Sequence, residues 1–200
     1  MEYITKVSRY TEHAQTSPAT PDPDLVLVRA MAQGDTDALD ELYQRCGQRL
    51  LSYLQGRLGE LGLAEEVLQD VMLAAWKGAG QFRGEGRVLA WLLTIAHNRA
   101  INAYQRNLRR MQAVESEFPL DAEVVSAGQS AGSDPEALRE ALQALPEAQR
   151  ETLELVFFQG LSLDESAQVL GVATGTVKSR LHRAKARLRA LLQAQEGTYE

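Results

Sequence analysis

Residues that form cross-links, metal centres and covalent catalytic sites are scarce in this chain. Cys46 is its only cysteine, which excludes an internal disulfide and a cysteine-based zinc site. The three histidines, His13, His97 and His182, lie far apart, and no glycine-rich phosphate loop, metal-ligand cluster or nucleophile motif is present. We therefore expect no catalytic site, no metal and no cofactor. An enzyme whose site is assembled from distant residues is the alternative, which a turnover screen would reveal.

Long apolar runs are also missing. No stretch approaches the ~20 apolar residues that span a bilayer. The N-terminus carries Glu2, Lys6 and Arg9 without the apolar segment of a secretory signal. A hydrophobic content of 44% nevertheless suffices for packed cores. The sequence thus predicts a soluble cytoplasmic protein without a membrane span, in which Cys46 is a small buried helix residue.

Charge is distributed in blocks along the chain. The net charge of −6 argues against a general nucleic-acid binder. Residues 83–110, however, carry six arginines against the single Glu85, and the stretch from Lys178 to Arg189 has six bases and no acid. The residues between and before these blocks are predominantly acidic. Such alternation is typical of a protein with two kinds of partner.

Apolar residues with helical spacing occupy most of the chain. Two stripes recur at three- and four-residue steps, as on core-facing helices. The first stripe contains Leu39, Leu42, Tyr43, Cys46, Leu50 and Leu54. The second contains Ala64, Val67, Leu68, Val71, Met72, Ala75 and Trp76. Because no strand-like alternation of useful length occurs, the pattern predicts an all-α protein.

Breaks in this pattern give the domain boundaries. Residues 1–23 are rich in Thr, Ser and Pro and predict a flexible N-terminal lead. Residues 111–135 are acidic and rich in small residues, which predicts a flexible linker. Two small helical domains are therefore expected at 24–110 and 136–192, followed by a tail at 193–200.

The second domain contains a helix-turn-helix pattern. A short helix from Leu163 to Leu170 is followed by the turn Gly171-Val-Ala173 and a longer helix, with Thr174 as its expected N-cap. Four apolar residues of the longer helix face inward: Val177, Leu181, Ala184 and Leu188. The outward set is Lys178, Ser179, His182, Arg183 and Lys185. This basic face suits a DNA major groove and its phosphates, although a solvated basic helix would show the same pattern.

The string from Leu170 to Lys185 is more specific than its charge. It reads Leu-Gly-Val-Ala-Thr-Gly-Thr-Val-Lys-Ser-Arg-Leu-His-Arg-Ala-Lys and closely resembles the region-4 helix-turn-helix of extracytoplasmic-function sigma factors. The resemblance implies that this helix reads the −35 promoter element. It implies groove contacts or nearby backbone contacts by Thr176, Lys178, Ser179, Arg180, His182 and Arg183. Ser166 departs from the family's usual branched aliphatic residue, which predicts looser packing of the first helix.

Residues 63–110 resemble region 2 of the same family. The segment Ala64-Glu-Glu-Val-Leu-Gln-Asp70-Val, followed by Trp76, is similar to the part that grips the β′ clamp helices of RNA polymerase. With the apolar stripe inside, an acidic strip faces outward. It consists of Glu65, Glu66, Gln69, Asp70 and Leu73. A merely solvated amphipathic face would have the same spacing. Leu63 stands where the family commonly has Asp.

The segments Phe82-Arg-Gly-Glu-Gly86, Ala90-Trp91-Leu92 and Ile95-Ala-His-Asn98-Arg-Ala-Ile101 resemble the loop and helix that recognise and open the −10 element. A flexible glycine-containing loop beside a helix can hold an unstacked base. The expected DNA contacts are Phe82, Arg83, Asn98, Asn102 and Arg106. Trp91 is expected to pack within the domain. Asn102 stands where the family commonly has Asp.

The resemblance implies a sigma factor that recruits core RNA polymerase to promoters and opens the DNA. Its implied partners are the β′ clamp helices, the β flap, promoter DNA and an anti-sigma factor. The acidic linker would run towards the RNA exit path, and DNA binding without polymerase would be weak, as the negative net charge also suggests. The alternative is a helix-turn-helix regulator that binds DNA through residues 136–192 without joining polymerase.

Overall fold

The computed structural model describes residues 22–115 and 134–196, and the chain falls into two units of helices. The N-terminal bundle comprises α1 (Leu25–Ala32), α2 (Thr36–Leu58), α3 (Leu61–Gly78), a 3-10 turn (Ala79–Gln81) and α4 (Val88–Glu115). The C-terminal bundle comprises α5 (Asp134–Gln143), α6 (Glu147–Leu153) with a π-helical turn (Glu154–Phe158), α7 (Leu163–Leu170) and α8 (Thr174–Glu196). No strand occurs within these two ranges, and the predicted all-α class is confirmed.

Local sequence signals set the two ends of α2. The carboxylate of Asp35 accepts hydrogen bonds from the backbone N–H groups of Asp37 (3.0 Å) and Ala38 (3.3 Å). These bonds satisfy two donors that the first helical turn leaves unpaired. At the other end Gly59 takes the left-handed conformation, with φ 75°, that glycine adopts without steric cost. The helix is therefore delimited by its own flanking residues.

The predicted apolar stripes form the core of the N-terminal bundle. The α3 stripe is buried except for Trp76, which is half-buried. The buried members of the α2 stripe are Leu42, Cys46, Leu50 and Leu54. The prediction of an inward Tyr43 is wrong, because this residue is 50% exposed. Its ring instead covers Gly47, where an added Cβ atom would lie 3.3 Å from the ring carbons.

Polar groups inside this bundle are held by specific partners. The Tyr53 hydroxyl lies 3.1 Å from Nδ1 of His97, and both side chains are buried, so His97 serves as a hydrogen-bonded core residue. Burial, with the nearby charge of Asp24, raises the pKa of the Cys46 thiol to about 11. The thiol is therefore protonated at neutral pH, and the prediction of Cys46 as a small buried helix residue is confirmed.

The C-terminal bundle packs around the inner face of α8. Its buried cluster consists of Leu145, Leu153, Leu181 and Ala184. Lys185 does not join the outward basic face that the sequence predicted. Its Nζ lies 5.0 Å from the centre of the Phe157 ring, and burial lowers the pKa of Lys185 below its ordinary value. The cation therefore supports packing between α8 and the π-helical turn.

Several predicted boundaries differ from the observed helix ends. Helix α4 continues to Glu115 and α5 begins at Asp134, so both ends of the predicted linker are helical. Helix α8 continues to Glu196, so the first half of the predicted tail is helical as well. Residues 1–21, 116–133 and 197–200, which hold most of the predicted lead and linker and the second half of the predicted tail, lie outside the described residues. Within the described ranges, no helix is long and apolar enough to cross a membrane. The same ranges contain no group of three or more His, Cys, Asp or Glu residues placed to hold a metal ion.

Helix α7 begins with a reciprocal cap that the sequence analysis missed. The backbone N–H of Ser162 donates to the Glu165 carboxylate (2.8 Å), and the N–H of Glu165 donates to the Ser162 hydroxyl (3.1 Å). Ser-x-x-Glu before an apolar run is the signal for this capping box. Ser166, next along the chain, is fully buried, and its hydroxyl has no hydrogen-bond partner in the described part of the chain.

Substitution of Ser162 and of Ser166 by alanine should change the free energy of unfolding in opposite directions. Ser166→Ala removes a buried hydroxyl without a partner and should raise the free energy of unfolding by about 1 kcal/mol. Ser162→Ala removes a cap and should lower it by about 1 kcal/mol. Urea unfolding followed by circular dichroism would measure both. A loss of stability in Ser166→Ala would contradict the assignment of an unsatisfied hydroxyl.

Candidate nucleic-acid and polymerase interfaces

The outward face of α3 carries the acidic strip expected for polymerase binding. Glu65, Glu66, Gln69 and Leu73 are exposed, and Asp70 is half-buried. Leu73 is 50% exposed, so an aliphatic side chain lies among the acidic and polar ones. Because the opposite face of α3 is packed in the core, the whole strip is held on a rigid support. Such a surface suits a partner with basic side chains around an apolar contact.

An open cavity of about 570 Å³ lies beside the loop that follows the 3-10 turn. The rings of Phe82 and Trp91 form one wall, stacked with centroids 4.7 Å apart and planes inclined by 25°. Arg83 and Arg99 bring guanidinium groups to the cavity, and Glu85 brings one carboxylate. An aromatic wall with nearby guanidinium groups is the arrangement that receives an unstacked nucleobase.

The five residues predicted to contact the −10 element fall into two groups, those that line the cavity and those that lie elsewhere on α4. Phe82 and Arg83 line the cavity. Asn98, Asn102 and Arg106 are exposed along α4 at four-residue steps, and none of them lines the cavity. The amide nitrogen of Asn98 donates to the carbonyl of Thr94 (3.0 Å), and the side chain retains its amide oxygen and its second N–H as further hydrogen-bonding groups.

Arg99 and Gln81 are cavity residues that the sequence analysis missed. For Arg99 a signal was present, since Trp91, Ile95 and Arg99 follow one another at four-residue steps and therefore share a face of α4. Gln81 belongs to the 3-10 turn, whose conformation the periodicity did not reveal. Trp91 packs on Phe82, in agreement with its predicted packing role.

The loop is held in place by glycine conformation and a neighbouring side chain. Gly84 has φ +74°, and an added Cβ atom would lie 3.4 Å from a methyl group of Leu25 at the start of α1. A residue with a side chain would be strained at this φ, and its Cβ atom would make an ordinary van der Waals contact with Leu25. Gly80, in the preceding 3-10 turn, has neither a positive φ nor an atom near its Cβ position.

Helix α8 presents the predicted DNA-reading face. Lys178, Ser179, His182 and Arg183 are exposed, and Thr176 and Arg180 are half-buried. Of the four expected inward residues, Val177, Leu181 and Ala184 are buried, and Leu188 is half-buried and packs against the buried cluster. The face is therefore basic and rich in hydrogen-bond donors.

Hydrogen bonds order both the turn and the reading face. Gly171 has φ +63°, and the N–H of Val172 donates to the carbonyl of Ala167 (3.1 Å), which closes α7. The prediction that Thr174 caps α8 is wrong. The N–H groups that a cap at Thr174 would receive, those of Thr176 and Val177, both donate to the carbonyl of Ala173 (2.8 and 3.2 Å). The Thr174 hydroxyl donates to Asp164 of α7 (2.7 Å). On the reading face, Arg183 donates to the backbone carbonyl and to the hydroxyl of Ser179, each at 3.2 Å.

Comparison with known protein families defines the class of both bundles. Residues 42–110 match the family described as Sigma-70 region 2. Residues 135–188 match the family described as Sigma-70, region 4. The chain therefore contains two regions of sigma-70-type factors, in the order that the resemblance implied.

Similarity to curated relatives extends over nearly the whole chain. The ECF RNA polymerase sigma factor SigM of Mycobacterium tuberculosis H37Rv is 40% identical over 172 residues, which cover 84% of this chain and 84% of SigM. The ECF RNA polymerase sigma factor SigK of Mycobacterium bovis BCG is 32% identical over 183 residues, covering 88% and 98%. This chain belongs to the ECF family of RNA polymerase sigma factors.

Solved structures of similar proteins agree with the helical architecture. CnrH, solved with the cytosolic domain of CnrY, matches with a TM-score of 0.63 and 27% identity, covering 86% of this chain and 99% of CnrH. RpoE of Bartonella quintana, solved with the anti-sigma factor NepR, matches with a TM-score of 0.58 and 28% identity, covering 76% and 97%.

Gly84→Ala should destabilise the N-terminal bundle by about 1–2 kcal/mol, because alanine is strained at this φ. Gly80→Ala is the matched control, and it should change the free energy of unfolding by less than about 0.5 kcal/mol, since its site is open. Urea unfolding of both variants would measure the difference. Equal effects would show that the Gly84 conformation does not restrict the loop.

Proposed function

We propose that this sigma factor uses three of the surfaces described above. The acidic strip of α3 binds the β′ clamp helices of core polymerase. The cavity at Phe82 and the outward stripe of α4 bind the opened −10 strand, and the reading face of α8 binds the −35 duplex. The C-terminal bundle also contacts the β flap. The protein itself catalyses no reaction, and it acts in the cytoplasm together with its polymerase partner.

The observation that carries the proposal is the cavity beside the Phe82–Trp91 stack. Opening a duplex requires a site that stabilises a base after it has left its neighbours. The partly exposed Phe82 ring can extend the stack to such a base, and Arg83 and Arg99 supply positive charge for its phosphates. The open shape of the cavity admits a base from the surface.

The −35 contact follows from the face of α8. Lys178 and Arg183 can donate to guanine acceptors or to phosphates, and His182 lies between them on the same side of the helix. Arg183 is already oriented by Ser179, which reduces the entropy lost when it binds DNA. The net charge of −6 supports a modest affinity for DNA in the absence of polymerase.

We also infer an anti-sigma partner. CnrH and RpoE, two similar proteins, were each solved with a protein partner, and NepR is described as an anti-sigma factor. A partner of that kind would act by covering surfaces that polymerase needs, of which the α3 strip is the candidate. The rival hypothesis, a helix-turn-helix regulator that does not join polymerase, has no use for residues 42–110, which match Sigma-70 region 2.

Glu66→Lys should weaken binding to core RNA polymerase by about tenfold, because it places a positive charge in a strip that faces basic side chains. Asp40→Lys is the control, since it makes the same charge change at an exposed position of α2. Affinity is measured by fluorescence anisotropy with purified bacterial core enzyme. Absence of wild-type binding would overturn the polymerase proposal, and equal loss in both variants would move the contact away from α3.

Promoter recognition can be tested on a pool of random sequences. Reconstituted holoenzyme transcribes linear templates randomised upstream of the start site, and the transcribed templates are sequenced. We expect two enriched sequence blocks. Arg183→Ala should weaken the −35 block by about tenfold and preserve the −10 block, because base contacts of this kind contribute about 1–3 kcal/mol. Arg29→Ala, exposed on α1, should preserve both; identical enrichment by both variants would exclude Arg183 as a reader.

A further inference from the structure

The start of α4 is capped by a residue that is distant in sequence. The backbone N–H of Val88, the first residue of α4, donates to Oδ2 of Asp22 at 2.6 Å, across 66 positions of the chain. Asp22 belongs to the segment that the sequence analysis assigned to the flexible lead. It is half-buried in the structure. A carboxylate in this position satisfies an unpaired donor and interacts favourably with the positive end of the helix dipole.

The Asp22 carboxylate is itself fixed on both sides. Its other oxygen, Oδ1, accepts a hydrogen bond from the backbone N–H of Asp24 (3.0 Å), and the carbonyl of Asp22 accepts one from Leu25 (3.0 Å). The Asp24 side chain in turn pairs with Arg45 on α2 at 2.8 Å. Pro23 restricts the backbone between the two aspartates. These contacts and Pro23 therefore fix the position of the Asp22 carboxylate relative to the start of α4.

Two contacts from the segment 22–25 hold the loop beside the Phe82 cavity. Leu25 lies against Gly84 in the middle of the loop, and Asp22 binds Val88 at its end. At the other end, Phe82 is stacked on Trp91, which is in the first turn of α4. A displacement of the first turn of α4 would therefore move both the loop and the aromatic wall of the cavity.

We propose that Asp22 is a positioning residue for capture of the −10 strand. It acts through Val88 and the first turn of α4, and it does not itself contact DNA. The inference rests on the proposed function, because it assumes that the Phe82 cavity receives the opened strand. Loss of the Asp22 carboxylate should impair promoter opening more than core binding or −35 recognition.

Asp35 provides a matched control for this role. Its carboxylate caps α2 in the same bundle, by bonds of 3.0 and 3.3 Å, and lies on the exposed surface. Asp22→Ala and Asp35→Ala each remove one negative charge and one helix cap. A purely structural contribution predicts similar loss of stability and similar transcription in the two variants. A positioning role predicts that only Asp22→Ala alters use of the −10 element.

The experiment uses the full chain with core polymerase and the randomised template pool. Run-off transcription is then measured on the template that the wild-type holoenzyme enriches most. Asp22→Ala should reduce the yield about fivefold at saturating holoenzyme, which corresponds to a lost cap of about 1 kcal/mol. The same variant should weaken the enriched −10 block and preserve the −35 block. Asp35→Ala should transcribe like the wild type.

A second variant and a direct measurement separate folding from positioning. Asp22→Asn keeps the accepting oxygen and should restore most of the yield, because asparagine caps helices as well as aspartate does. Hydrogen exchange at the Val88 amide should accelerate in Asp22→Ala and stay slow in Asp22→Asn. Equal yields from Asp22→Ala and Asp35→Ala would overturn the positioning role alone. Failure of the wild type to enrich any −10 block would overturn the proposed function and this inference together.

Discussion

Burial of one face of α3 is the constraint on which the N-terminal bundle depends. The face from Ala64 to Ala75 packs against both α2 and α4, so α3 is the central helix of the bundle. Because that face is buried, the acidic strip around Glu66 on the opposite face is exposed to solvent. The same burial fixes the direction in which α3 delivers the chain to the 3-10 turn and the Phe82 loop. The proposed polymerase-binding surface and the proposed strand-capture site thus share one core.

Much of this arrangement follows from periodicity, and its exceptions have physical causes. The stripes of α2, α3 and α8 are readable because burial repeats with the helical turn. Tyr43 and Lys185 departed from the pattern. The Tyr43 ring covers Gly47, four residues further along the same helix, and Lys185 lies over Phe157 of a different element, a partner that spacing does not encode. The cap from Asp22 was not predictable, since nothing in the sequence links positions separated by 66 residues. The roles of the individual residues that are predicted to contact DNA rest on family resemblance.

The two bundles differ in how far their proposed DNA recognition depends on charge and on backbone conformation. In the proposed function, the exposed cations of α8 contact intact duplex, where spacing along one helix face is sufficient. The proposed ligand of the Phe82 cavity is an unstacked base, for which shape and stacking matter more than charge, so the backbone conformation at Gly84 becomes part of the proposed site. This contrast explains why helical periodicity predicted the residues of the α8 face more completely than those of the Phe82 cavity.

The Asp22–Val88 bond has a consequence for the order in which the protein folds. The capping box of Ser162 and Glu165 closes across three residues and can form as soon as that turn exists. The bond from Asp22 must instead wait until α2 and α3 have been synthesised and have brought its partner back to the N-terminal segment, at the entropy cost of closing a long loop. During synthesis, therefore, the Phe82 loop is among the last parts of the N-terminal bundle to reach its final position.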